Sequence, residues 1–190
     1  MYTRKFFVFF VLFATGVVST QINIFEWLEF KLNKNTSMLK EVLGILRKEK
    51  TPHLREVAYG KNSYQSSTSK TDGIPHSSNR AVDGNMKTII HTHFDNSPYW
   101  EVDLGKNYQI KRVEIYNRRD CCGERIHDLD ITVGPSHNKM ALCYHYVGPA
   151  KTGAHLIFDC QRTINGRYVN LTIKGKETLN IVEVKVYAIV

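Results

Sequence analysis

The densest chemistry in the chain lies in eight residues, Arg118-Arg119-Asp120-Cys121-Cys122-Gly123-Glu124-Arg125. Arginine side chains donate hydrogen bonds and accept none. Two guanidinium forks on one short segment therefore suit a ligand rich in acceptor oxygens, such as a vicinal diol, whether or not it is charged. Asp120 can hold the Arg118 guanidinium by a charge-assisted bond. Taken alone, Arg-x-Asp reads as a solvated ion pair; beside two cysteines it reads as a site. The α-carbons of adjacent cysteines are about 3.8 Å apart across a trans peptide. A relaxed disulfide spans about 4.4–6.8 Å. A bond between neighbours is therefore strained, and it closes no loop of entropic value. If it forms, its use is as a rigid, flat, apolar plate beside the donors. The other arrangement pairs each with Cys143 or Cys160, tying one loop to both. If the neighbours join, Cys143–Cys160 is the ordinary staple, and it stabilises by about 3 kcal/mol in the chain-entropy model.

The start of the chain sets the redox context. Arg4 and Lys5 precede an apolar run, Phe6 to Ala14, and small residues follow to Thr20. This is a secretory signal pattern over residues 1–20. The run is shorter than the roughly 20 residues of a membrane span, so cleavage is expected rather than anchoring. Secretion makes two disulfides the default for four cysteines. Of the formal charge of +8, residues 1–20 and 21–56 contribute +2 each and residues 57–190 the remaining +4. That mild, spread excess suits anionic cell surfaces but is no nucleic-acid stripe.

Two kinds of element must carry these residues. Phe25, Leu28, Leu32, Asn35, Leu39, Val42 and Leu46 recur at alternating threes and fours, the seam of a short coiled coil. Met38, Leu43 and Ile45 widen the face. The spacing predicts an amphipathic helix over residues 24–50, stopped at Thr51-Pro52. The stripe must pack on its own domain, on another copy or on a membrane surface. A homo-oligomer is one reading, with a trimer among the assemblies it allows. Asn35-Thr36-Ser37 is a glycosylation sequon inside that seam, and a glycan there would forbid a tight coil. A second sequon is Asn170-Leu171-Thr172.

Beyond the proline the period becomes two. Trp100, Val102 and Leu104 alternate with Glu101 and Asp103; Val113 with Glu114; Leu129, Ile131 and Val133 with Asp130 and Thr132. Leu156, Phe158 and Cys160, then Val169, Leu171 and Ile173, then Val182, Val184 and Val186 repeat the pattern. Such runs, broken every ten or so residues, predict an all-β antiparallel sandwich of jelly-roll type over residues 53–190. Arg118–Arg125 then sits on a loop at one end of the sandwich, where binding loops cluster.

Twenty-six residues separate His91 from Arg118, and four separate Asp120 from Arg125. This register resembles the F-type lectins, the fucose-binding family of eel agglutinin, whose motif is His, 26 residues, Arg-x-Asp, four residues, then Arg or Lys. The likeness extends over most of residues 57–190, including Ala81-Val82-Asp83-Gly84-Asn85 and Tyr99-Trp100-Glu101-Val102-Asp103-Leu104-Gly105, and leaves the helix outside. It implies a discoidin-like fold. It implies that His91, Arg118 and Arg125 hydrogen-bond terminal L-fucose, that Asp120 orients, and that Cys121 and Cys122 form the vicinal disulfide against the sugar. An aromatic residue usually meets the fucose methyl; the stretch from Asn85 to His91 is short here, leaving His93, Phe94 or Tyr64 to substitute. The family also carries one structural calcium. Asp83, Asn85 and Glu183 match its side-chain ligands, and the carbonyls of Arg80, Thr88 and Val182 its backbone ones. Alone, Asp83-Gly84-Asn85 reads as a β-turn. A further family disulfide is absent: Ile90 or Ile89 and Val182 stand in place of its cysteines.

The implied function is a secreted lectin for fucosylated glycans on microbial or host cell surfaces, in innate defence or agglutination. A discoidin-type adhesion module for anionic lipid or protein shares the fold, but it uses exposed apolar loop tips. An enzyme is the third class: His91-Thr92-His93 with Cys121 could ligate zinc or supply a Cys–His nucleophile. A disulfide-bonded cysteine can do neither, and no paired carboxylates stand out for glycoside hydrolysis.

Overall fold

The computed structural model describes the backbone of residues 23–50 and 53–190, with side chains for 27–44 and 53–190. The signal at 1–20 and the side chains of Phe25, Ile45 and Leu46 lie outside the described residues. The chain divides into two compact units at Thr51/Pro52. The first holds α1 (Asn23–Lys50), the helix that the three-and-four spacing predicts. Leu28, Leu32, Leu39 and Val42 of its stripe are exposed. No helix among the described residues is long and apolar enough to cross a membrane.

The second unit is built of antiparallel strands. In chain order they are β1 (Leu54–Glu56), β2 (Asn62–Gln65), β3 (Lys70–Thr71), β4 (Ile74–Pro75), β5 (Ile90–His91), β6 (Asp95–Asn96) and β7 (Tyr99–Tyr116). Then come β8 (Leu129–Gly134), β9 (Ala141–Tyr146), β10 (His155–Ile173), β11 (Lys176–Glu177), β12 (Asn180–Ile181) and β13 (Glu183–Ile189). The two long strands, β7 and β10, pair along almost their whole length and serve both layers. The first half of β7 pairs with β2, and the second half of β10 with β8 and onward to β9. The other halves carry β13 and then β1. The result is a five-stranded layer facing a four-stranded one.

An irregularity makes this double service work. Ile110 and Val113 are both buried, so period-two alternation slips by one residue at Lys111. The ladder shifts register there, between Asp159 and Ile164 of β10. Bulges of this kind bend a strand and re-aim its side chains. The Lys111 ammonium caps the bend by donating to the Cys160 carbonyl at 3.0 Å.

Between the layers lie Trp100, Val102, Leu104, Ile131, Val133, Val169, Leu171 and Ile173 on one side. Ile110, Val113, Ile115, Val184, Val186 and Ala188 face them. Full burial of each large apolar side chain is worth about 1.5–3 kcal/mol. The Trp100 indole N–H donates to the Ser78 carbonyl at 2.9 Å, so its one polar atom is satisfied. Cys143 and Cys160 form a disulfide joining β9 to β10. These are the alternating runs read from the sequence, and the fold is the expected discoidin-like sandwich.

Tyr116 pairs with both His155 and Glu183. The end of β7 and the starts of β10 and β13 therefore share one end of the sandwich. The Arg118–Arg125 loop emerges there.

Candidate functional site

A cavity of about 500 Å³ opens at that end, lined by Ser69, Thr71, His76, Ile89, His91, Arg118, Cys121, Cys122 and Arg125. Five residues singled out by type and spacing thus line one space. Asp120, the sixth, stands behind Arg118.

The arginine loop is held from below. Asn117 is buried, and its amide donates to the Gly123 carbonyl at 2.9 Å and the Lys151 carbonyl at 3.1 Å. Its Oδ1 accepts from the Arg118 N–H at 2.8 Å. The Gly153 N–H donates to the Arg118 carbonyl at 2.6 Å. Gly123 is packed so tightly on this second loop that a Cβ would collide with the backbone of Lys151 and Thr152. Cys122 is left-handed, with φ of +60°, a conformation uncommon outside glycine. It leads into the single turn Gly123–Arg125, which carries Arg125 back to the cavity.

Cys121 and Cys122 are joined to each other, with α-carbons 3.8 Å apart. Both residues line the cavity and, bonded to each other, offer no thiolate to a substrate or a metal. Arg118 is clamped by Asp120 through a two-point fork, Nε to Oδ1 at 2.7 Å and Nη2 to Oδ2 at 2.9 Å. The fork holds the Asp120 carboxyl well below the usual carboxylate range and raises the Arg118 pKa. Nη1 and the second Nη2 hydrogen remain for a ligand.

His91 enters from β5, which pairs with β12. Its Nδ1 lies 2.7 Å from the Thr92 carbonyl. A carbonyl only accepts, so Nδ1 carries the proton and Nε2 is left as an acceptor. Burial lowers the His91 pKa most, the Thr92 carbonyl opposes this, and the Arg118 and Arg125 charges and His76 lower it further. The ring is therefore neutral at neutral pH. The cavity sets an imidazole acceptor between two donor-only cations, an arrangement for hydroxyls, which both give and take hydrogen bonds.

The opposite wall was not legible as a site. His76 faces His91 with ring centroids 5.9 Å apart. Its Nε2 meets the Thr71 hydroxyl at 2.9 Å and its Nδ1 the Arg80 guanidinium at 3.2 Å. Thr71 and His76 flank a hairpin turned by Asp72-Gly73, both at positive φ. That Asp-Gly pair is the one sequence signal that could have located this wall. Tyr64, His93 and Phe94, expected to meet a methyl group, do not line the cavity. Tyr64 lies opposite Glu101 on the outer face of the five-stranded layer. Phe94 lies under the Lys176 ammonium, 5.3 Å from its ring centre. Ile89 supplies the aliphatic surface instead, while Ile90 is buried opposite Ile181.

A second cluster braces the loop leading to His91. Glu183 is buried; its Oε1 accepts from the Gly84 N–H at 3.1 Å, and its Oε2 has no partner among the described residues. Burial, and then the Asp83 charge, push the Glu183 carboxyl up to about 7. Asp83 accepts from the Asn85 N–H at 2.7 Å and the Thr88 hydroxyl at 3.3 Å. Among the described residues no three His, Cys, Asp or Glu side chains converge on a metal position. A cation here would need the two carboxylates, the Asn85 amide and the carbonyls of Arg80, Thr88 and Val182. An orphaned buried carboxylate oxygen beside a second carboxylate fits a hard, oxygen-seeking cation.

Comparison with known proteins agrees with this geometry. The family described as a NedA-like, galactose-binding domain of F5/F8 type C matches residues 80–171. Fucolectin-4 of Anguilla japonica is 38% identical over 125 residues, 61% of this chain and 69% of that protein. Across the first eel proteins matched, the aligned stretch spans about two thirds of their length. A fucolectin from Morone saxatilis serum superposes with a TM-score of 0.63 at 29% identity, over 72% of this chain and 48% of that one. A Streptococcus pneumoniae fucose binding module gives 0.62 at 28%, over 70% and 95%. By sequence, fold and the register of its site residues, the chain belongs to the fucolectin family.

Proposed function

We propose that this chain is a secreted, calcium-containing lectin that binds terminal L-fucose reversibly. The observation that carries the reading is the end cavity, where His91, Arg118 and Arg125 converge around the Cys121–Cys122 plate. Fucose presents neighbouring hydroxyls and a ring oxygen on one edge. One hydroxyl donates to His91 Nε2 and accepts from an arginine; the others accept from the remaining guanidinium hydrogens. The disulfide and Ile89 receive the apolar edge and the methyl. A neutral ligand needs no counter-charge, which fits an Arg118 that already has one in Asp120.

Asp83, Asn85 and Glu183, with the carbonyls of Arg80, Thr88 and Val182, would hold calcium. The ion would supply the positive charge that the Glu183 carboxylate lacks and fix the loop leading to His91. The signal pattern at 1–20 and the two disulfides support secretion. The exposed stripe of α1 supports self-association into a homo-oligomer, which would turn weak single sites into avid ones. Linked sites can gain about 10²–10⁴ in avidity. The partners are then fucosylated glycans on microbial or host surfaces, and the role is recognition in innate defence.

The test is calorimetric titration with methyl α-L-fucoside and a glycan array, run on the wild type and on Arg125→Ala. Arg125→Ala loses fucose binding with its melting temperature kept. Retained binding refutes the site, and wild-type binding to no fucosylated glycan refutes the function. Light scattering with and without residues 21–50 tests the helix, and an unchanged mass removes the oligomer.

A further inference from the structure

The outer face of the five-stranded layer holds a second cavity, of about 530 Å³, separate from the fucose pocket. Strand register fixes its layout. Tyr64 lies opposite Glu101, Glu101 opposite Asn170, and Tyr99 opposite Thr172. Side chains two apart on a strand share a face. Tyr168, Asn170 and Thr172 therefore form one column: a sequon with an aromatic ring two residues before its asparagine.

The charged groups here are already paired. Glu101 is 7% exposed and accepts from His137 Nε2 at 2.8 Å and from the Asn170 amide at 3.3 Å. Asp103 takes the Arg167 fork, with both bonds 2.6 Å long. His137 covers Tyr168, their ring centroids 4.4 Å apart. What remains open is ring surface, with Tyr64 55% and Tyr99 37% exposed. The Thr172 hydroxyl donates to Asn170 Oδ1 at 2.5 Å, so the two sequon groups already meet. The Asn170 amide gives one hydrogen to Glu101 and keeps the other.

We propose that Asn170 carries an N-linked glycan whose first N-acetylglucosamine lies in this cavity, its apolar face on the Tyr64 and Tyr99 rings. The inference rests on the secretory reading of residues 1–20. The donor is a polyprenyl-pyrophosphate-linked oligosaccharide met during entry into the secretory compartment. The amide nitrogen bonds to the anomeric carbon and loses one proton, the carbon–oxygen bond to the pyrophosphate breaks, and the lipid pyrophosphate leaves. The retained amide hydrogen still serves Glu101. Two exposed tyrosines gain a covalently tethered partner, and ordering that partner costs little because it is already attached.

The test uses the full chain made in eukaryotic secreting cells. Peptide mapping after enzymatic glycan release finds Asn170 converted to aspartate. Trimming the glycan to its first sugar leaves the melting temperature in place, whereas Asn170→Gln lowers it by about 3 °C. Tyr64→Ala costs more in the glycosylated protein than in the Asn170→Gln background. A secreted chain with Asn170 bare overturns the inference alone, as does a free oligosaccharide bound on Tyr64 in that bare protein. Equal Tyr64→Ala effects in the two backgrounds overturn the seating of the sugar. A chain that stays in the cytosol refutes the secretory reading, and this inference with it.

Discussion

Asp120→Asn removes the group that holds Arg118 while keeping its shape. The carboxylate takes Nε and one Nη2 hydrogen in a two-point fork. An asparagine keeps one acceptor oxygen and turns an NH₂ toward the other arm, so one bond to an uncharged acceptor is left. The Asp120 side chain is 69% exposed and that of Arg118 19%. Exposed pairs contribute about 0–1 kcal/mol to folding, so the melting temperature falls by a few degrees at most. Binding loses more. Arg118 is no longer pre-ordered, and the sugar must immobilise it at a cost of about 0.5–1.5 kcal/mol. That weakens the Kd roughly two- to twelvefold. The assay is titration with methyl α-L-fucoside at pH 7 beside a thermal scan, with Arg119→Ala as a control that keeps its affinity. The fork also sets an acid limit. Asp120 has a depressed folded pKa, so its contribution is present above the ordinary value of 3.8 and is lost as pH falls through the folded one. The pair therefore survives mild acid. Unchanged affinity in Asp120→Asn, or a loss explained by unfolding, refutes the orienting role.

The remaining predictions concern the rest of the pocket and its supports. His91 has its pKa lowered below 6.5, so fucose affinity stays level from pH 8 to 6.5 and weakens only below, where protonation turns the Nε2 acceptor into a donor; half-loss above pH 6.5, read from Kd against pH, contradicts this. The same lowering costs stability only as pH falls through 6.5 toward the folded value, because the unfolded chain takes the proton first. Gly123→Ala forces apart the loops that hold Arg118 and Arg125, costing about 1–3 kcal/mol together with binding; calorimetry showing wild-type stability would remove the packing argument. Chelation lowers the melting temperature of the wild type, and readded calcium restores it, with about 2.7 kcal/mol gained at a hundredfold excess over Kd. Asp83→Ala melts alike with and without calcium, and a calcium response kept in that variant would discard the proposed ligands.

The fold was legible where burial imposes period two. Trp100 to Leu104, Leu129 to Val133 and Val169 to Ile173 alternate in the sequence because one face of each strand is covered. The merging of neighbouring runs into two long strands was not legible. The slip between Ile110 and Val113 looks like a break in the pattern, yet it is a bulge inside a continuous strand. The short strands β3 to β6, β11 and β12 carry too few residues for any period to register. Their pairing is imposed by the loops they brace. The helix was legible in full because its stripe obeys one rule over seven positions.

The site divides along a similar line. Residues that meet the ligand announce themselves by type, since little besides donors, acceptors and a rigid sulfur pair serves a neutral diol. Residues that place them do not. Asn117 is an ordinary strand-end asparagine until its amide is seen bridging Gly123 and Lys151. His76 is a lone histidine until the Asp72-Gly73 turn brings it against His91. The 26-residue spacing from His91 to Arg118 therefore has a physical meaning. It spans the strand that crosses the sandwich and returns the chain to the same end, while the cavity's shape is set by loops 30 to 60 residues further along or by the hairpin before it. The imidazole acceptor is the exception. Its tautomer is fixed by the carbonyl of the very next residue, Thr92, so the donor–acceptor alternation that selects a hydroxyl ligand is written locally at His91.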